Sequence, residues 1–240
     1  MTGLLMTRFA LLRNILPTEE LEFVGGKALC FTGTTSTGTV SLTDISGGLS
    51  SQPAVNDYVV VLYAIRTQNR TPTLTITGNN NGSYDVLAGP VVGDATFDTR
   101  LYAFGKYMSG TADTEITHSA TGDTADHGTI TIHTWRGVNS TTPMDVTPTT
   151  AGGQPARPNP PAITPVTDGA VILALGAGVA NATWTASYLS NFIQSVDAAL
   201  FVGSGIGSVA WSGGTYDPAA WTDGWGSATY AAATLALRPA

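Results

Sequence analysis

Three histidines, one cysteine and a scatter of loop carboxylates are the groups in this 240-residue chain whose types could do chemistry. His127 follows Asp123 and Asp126, giving Asp-x-x-Asp-His on a polar stretch. Carboxylates beside an imidazole are metal-ligand types. The spacing matches no ligand motif, so a solvated loop and no metal are expected. His133 shares its alternate positions with Thr129 and Thr131, which reads as a surface or crevice site. Cys30 lies in Lys27-Ala28-Leu29-Cys30-Phe31 and reads as a small buried hydrophobe. A catalytic thiol would need an activating cation nearby, and no motif supplies one. Any two of Asp94, Asp98, Asp123 and Asp126 could form a carboxylate pair for glycoside cleavage, but nothing singles a pair out. There is no Gly-x-Ser-x-Gly elbow and no His-Glu-x-x-His. Gly203-Ser204-Gly205-Ile206-Gly207 has phosphate-loop composition, yet no helix follows to supply amide donors, so it reads as a hairpin turn. These readings predict no catalytic residue and no cofactor.

The densest cluster of binding-type side chains is Trp211, Tyr216, Trp221 and Trp225 among Gly, Ser and Asp. Aromatic faces in such surroundings suit sugar stacking. They equally pack loops onto the end of a sandwich or make subunit contacts, and packing is the preferred reading. Four Asn-x-Ser/Thr sequons, at Asn69, Asn81, Asn139 and Asn181, mark exposed turns.

The elements that position these residues are strands. Asp57–Ile65 is short, apolar, β-branched and aromatic, the pattern of a strand covered on both faces. Its expected partners are Thr99–Tyr107, Gly128–Trp135, Gly169–Ala177, Ala198–Gly203 and Thr229–Leu237, while Leu21–Phe31 and Thr39–Leu42 read as the first strands and Thr73–Thr77 alternates before Tyr84–Leu87. Gly128–Trp135 alternates Thr and His with Ile, which predicts one wet face. Thr111–His127 reads as polar loop or edge strand. Ala151–Pro165 carries five prolines and reads as an extended crossover. Val55-Asn56-Asp57-Tyr58-Val59-Val60-Val61-Leu62 is echoed by Val166-Thr167-Asp168-Gly169-Ala170-Val171-Ile172-Leu173. Strands with no helix between them must hide against other strands. The predicted fold is all-β, an antiparallel β-sandwich of jelly-roll type spanning residues 21–240.

Residues 1–20 read as a separate N-terminal arm, expected to be short, with helix one of its possible forms. Leu5, Phe9, Leu12 and Leu16 fall on one face at helical spacing, and Pro17 ends the stripe. Arg8 and Arg13 within it, and the lack of a small-residue cleavage site, fit a signal peptide poorly. No apolar run reaches the roughly 20 residues of a membrane span. The net charge is −7 with only ten scattered Lys and Arg, which disfavours nucleic acid as a partner.

Phe23-Val24-Gly25-Gly26-Lys27, Gly33-Thr34-Thr35, Ser41-Leu42-Thr43-Asp44, Gly47-Gly48-Leu49 and Asp57-Tyr58-Val59-Val60-Val61 together resemble a β-sandwich domain of tailed-bacteriophage virion proteins. Trp135-Arg136-Gly137-Val138, Pro143-Met144-Asp145, Asp168–Ala174 and Leu235–Pro239 extend the resemblance over Leu21 to Pro239. It implies a non-enzymatic structural protein on the virion surface, made in the host cytoplasm, in a fibre, spike or decoration layer. Its partners would be other virion proteins and copies of itself, with no membrane insertion. The N-terminal arm lies outside the resemblance; from their stripe alone, Leu5, Phe9, Leu12 and Leu16 are the expected assembly contacts. A carbohydrate-binding module reading a host surface is the alternative, and a glycan-degrading enzyme a third reading. No family site residues carry over.

Overall fold

A computed structural model describes residues 20–32, 37–67, 72–93, 98–122, 127–154, 157–178, 182–197, 202–223 and 229–240. The predicted arm residues Leu5, Phe9, Leu12 and Leu16, and also Trp225, Asp94, Asp123 and Asp126, lie outside them. The first half contains β1 (Glu22–Thr32), β2 (Thr37–Ser41), β3 (Tyr58–Thr67), β4 (Thr73–Gly78), β5 (Gly82–Ser83), β6 (Asp85–Val92), β7 (Asp98–Tyr107), β8 (Glu115–Thr121) and β9 (His127–Arg136). The second contains β10 (Thr149–Gly153), β11 (Val171–Gly178), β12 (Trp184–Thr185), β13 (Ser190–Asp197), β14 (Val202–Ala210), β15 (Thr222–Asp223) and β16 (Tyr230–Leu237). The described residues form no helix, and every strand pairing is antiparallel.

The strands stack in layers. A central sheet runs β1-β9-β3-β7-β6, an outer sheet runs β2-β8-β4-β5, and a second large sheet runs β10-β16-β11-β14-β13. The central sheet is covered on both faces, and β3 shows why its sequence had to be apolar throughout. Tyr58, Val60, Leu62 and Ala64 enter the core shared with the second large sheet. Val59, Val61, Tyr63 and Ile65 enter the core shared with the outer sheet. Each fully buried side chain of this kind contributes about 1.5–3 kcal/mol.

The two large sheets follow one path. Taking only their own strands in chain order, each is arranged first, fifth, second, fourth, third. The echoed segments contain β3 and β11, the second and middle strand of each sheet. The sheets face each other with order reversed: β1 lies over β13, β9 over β14 and β6 over β10. That is the relation of a pseudo-twofold axis parallel to the strands. Each sheet also has a cover at equivalent chain positions. The paired β4 and β8 cover the central sheet, and the paired β12 and β15 belong to the cover of the second. Beside β15 lies Pro158–Ile163, where the Trp221 amide donates to the Pro158 carbonyl at 2.9 Å and Ile163 pairs with Tyr216. Proline removes backbone donors, so this strap covers the sheet without a full ladder.

Several sequence expectations change. The polar stretch before His127 is not an edge: β8 lies between β2 and β4. Ala151–Gly153 belong to the edge strand β10, so the proline-rich connection begins after them. The glycine-rich stretch expected as a turn lies inside β14, a strand that starts at Val202 instead of ending at Gly203. Side chains at 203 and 207 would collide with Trp184 and Leu189, so these glycines make room for the cover. β13 was not foreseen. The Thr/His face of β9 is not wet but buried, because the second large sheet lies on it. There Thr131 and Ser204 satisfy each other across the sheets at 2.9 Å.

Candidate functional site

The histidines belong to the packed body. His118 on β8 points inward, with Tyr63 Oη 3.2 Å from its Nδ1 and Phe31 against its ring. Burial holds its pKa below the usual value. His133 is fully buried between the large sheets, which corrects the surface expectation. Phe23 and Trp135 pack around it, and neither ring nitrogen has a well-aligned hydrogen-bond partner. Burial pushes its pKa down to about 3, while backbone groups of Ile206 and Asn191 pull weakly the other way. It is a neutral imidazole at neutral pH. His127 is half-buried at the start of β9. Among the described residues no group of three metal-ligating side chains converges. Cys30 is half-buried, not sealed in the core, and its Sγ lies 2.9 Å from Ser195 Oγ on β13.

The aromatic cluster divides into two roles. Trp221 is fully buried with Trp184, their ring centroids 5.7 Å apart, and Phe192 meets it edge-on at 5.0 Å. It has no face open to a ligand. Trp211 and Tyr216 are half-buried and rest on Ile163, Ile172 and Ala236. The Trp211 indole donates to the Gly214 carbonyl at 2.8 Å, which fixes its plane. Beside them the exposed hydroxyls of Thr164 and Thr215 pair at 2.9 Å. A held aromatic ring beside exposed hydroxyls has the chemical types that sugar stacking uses.

A second candidate lies at the end of the body where β9 and β16 finish. A groove of about 420 Å³ is lined by Val55, Asn56, Tyr107, Arg136, Val138 and Ala240. Asn56 holds a positive φ of 73°, a conformation asparagine tolerates. The Arg136 guanidinium grips buried Asp57 through two hydrogen bonds, at 2.9 and 3.2 Å, and that carboxylate also accepts from the Ala54 amide. The second half repeats the device. Asp145, also buried, accepts from Arg238 Nε at 3.1 Å and from the Val166 and Thr167 amides. Burial pushes the Asp145 carboxyl up, but these donors outweigh it and hold its pKa below the usual range. Both pairs pin a loop that shows an exposed valine, Val55 or Val166. Neither pair was foreseen, though an arginine at a strand end recurs in Trp135-Arg136-Gly137 and Leu237-Arg238-Pro239.

The lowered Asp145 pKa sets the sign of its pH effect. Its contribution is present above the unfolded carboxyl value and lost as pH falls through the folded one. Asp145→Ala is expected to cost about 1–3 kcal/mol in urea unfolding at pH 7, by orphaning buried amide donors. The difference from the parent should shrink as acid protonates the carboxyl, and a cost independent of pH would remove the ionic part of this account.

No family model, no curated protein and no solved structure matches this chain.

Proposed function

We propose that this chain is a non-enzymatic structural protein of a tailed-bacteriophage particle, displayed on its surface as a fibre, spike or decoration component. It attaches through its N-terminal arm to other virion proteins or to copies of itself, and aids host attachment. The observation that carries the reading is a strand order. The first half lays β1-β9-β3-β7 against β2-β8-β4-β5, with β6 added at an edge. That order supports reading these eight strands as a jelly roll, an architecture used by viral capsid and lectin domains. The second half follows the same path with a reduced cover. Architecture alone does not decide function. The sequence resemblance over residues 21–239 supports the particle reading in particular.

The test uses density-purified particles encoded together with this chain. Intact chain is expected in them, and its confinement to the soluble lysate would overturn the reading. Deleting residues 1–16 should leave the body folded, by an unchanged melting transition, and abolish incorporation. Each of Leu5, Phe9, Leu12 and Leu16 would bring about 1.5–3 kcal/mol if fully buried, before ordering costs. Normal incorporation of the shortened chain would remove the arm from the account.

A carbohydrate-binding role is the second reading, favoured by Trp211 and Tyr216. Trp211→Ala and Tyr216→Ala should then each abolish binding on a glycan array with little change in melting. Binding that survives both substitutions, or none by the parent chain, removes it.

A further inference from the structure

We propose that the polar half of the seam between the two large sheets is an acid-operated latch, with His133 as its pin and the edge strand β13 as the part that lifts. It uses only the fold and stands apart from the particle reading.

The seam is unevenly filled. Under β3 and β7 the facing side chains are apolar, among them Leu62, Leu101, Leu173 and Leu235. Where β1 and β9 face β13 and β14, a polar stripe runs through it. Cys30 Sγ meets Ser195 Oγ at 2.9 Å, and Thr131 meets Ser204 at 2.9 Å. His133 lies on the same stripe, fully buried, with neither ring nitrogen well paired. Gly26 on β1 is directly opposite it. A Cβ there would meet both the imidazole ring and Ile193 of β13, so β13 lies over the histidine. A buried polar ring is costly, and its cation far more so.

The two strands that close the seam at this point are lightly held. β1 and β13 are sheet edges, each with one ladder partner. Both are bulged beside the ring, β1 between Phe23 and Gly25 and β13 between Ser190 and Ile193. A bulge takes residues out of the ladder. In the β13 bulge Asn191 holds φ at 52°, and its side-chain amide donates to Ser208 Oγ at 3.0 Å. That hydroxyl donates to the Ser190 carbonyl at 3.2 Å. From Asn191 to Val196 every residue is half-buried. β1 has a further hold, since Gly26 and Ser46 exchange backbone bonds and the Ser50 amide donates to the Val24 carbonyl. β13 is therefore the strand that yields.

Nothing beside the ring can balance a proton's charge. The titratable groups that share its face are Cys30 on β1 and Tyr58 on β3, with His127 and Arg66 opposite each other at the far end. Ser190–Val196 and β14 carry none. A protonated ring is served only by water, and lifting β13 admits it. Burial holds the closed-state pKa below the ordinary 6.5, so the closed seam is favoured above that value. Opening then grows about tenfold for each pH unit as pH falls below it.

The test is hydrogen exchange of the full chain, read by mass spectrometry at pH 7.5, 6.5 and 4.5 and corrected for the intrinsic effect of pH. Ser190–Val196 is expected to exchange at least about tenfold faster than β11 at every pH, as a separate opening smaller than global unfolding. Its exchange should speed up about a hundredfold between pH 6.5 and pH 4.5. In His133→Leu that acid-driven increase should vanish, and His133→Gln carries the same expectation should the leucine variant fail to fold. Equal protection of β13 and β11 would mean that the body opens only as a whole. Exchange of β13 that ignores pH would mean that its opening leaves His133 buried. An acid response that persists without the histidine would assign it to another group. Each of these three results overturns the proposal.

Discussion

Replacing His133 with leucine is expected to make the protein much more acid-resistant while changing little at neutral pH. The imidazole meets Phe23 and Gly26 from β1, Trp135 from β9, Asn191 from β13 and Ile206 from β14. None of these side chains carries a charge that could compensate a proton. The folded pKa of about 3 lies below the ordinary 6.5, so the unfolded chain takes the proton first. Stability is therefore full above the unfolded value and falls as pH drops from 6.5 toward 3. At about 1.4 kcal/mol per pH unit, roughly 3 kcal/mol is lost by pH 4 from this residue alone. Urea unfolding of the parent and His133→Leu at pH 7.5 and pH 4 measures it. An equal stability difference at both pH values would mean that His133 is not the group that titrates.

Trp221→Ala is expected to cost about 3–5 kcal/mol, the range for emptying an aromatic site in a core. For a chain of this size that is a fall of roughly 10 °C in melting temperature. The reason is the neighbourhood of the indole. Gly176 leaves room for it, since a Cβ there would sit 2.7 Å from Trp221 Cη2, and Trp184 and Phe192 pack on its faces and edge. Pro158 accepts from its backbone amide, so the strap and the ring share one contact. The alanine variant leaves a cavity that neither a strap poor in backbone donors nor a two-residue ribbon closes. Trp211→Ala, at the half-exposed position, should cost far less. Calorimetry on both variants separates packing from recognition, and equal losses would place Trp211 in the core as well.

The apolar run Val59–Ile65 could be read from the sequence because a strand buried on both faces has no polar positions to spare. The same logic misled at β9. Its Thr, His and Ile alternation has the period of a half-wet strand, and it is fully covered. Hydroxyls satisfied across the sheets, as at Thr131 and Ser204, cost little to bury. The glycines of β14 misled for a related reason. A glycine that makes room for Trp184 is written the same way as one that makes a turn. Alternation at 203, 205 and 207 was the available signal, and it has the period of a strand.

The chain's own letters determined the all-β class and most of its strands, since period and β-branched content are local properties of neighbouring residues. They also showed the faint likeness of the two halves. Only the tertiary structure decided that the halves run the same path and meet back to back. It alone placed His133 in the seam between them, split the tryptophans into a buried ring and a half-open one, and joined Asp57 to Arg136 and Asp145 to Arg238. Each of those facts depends on groups far apart in the chain. Period and propensity carry no term for what lies across a sheet interface.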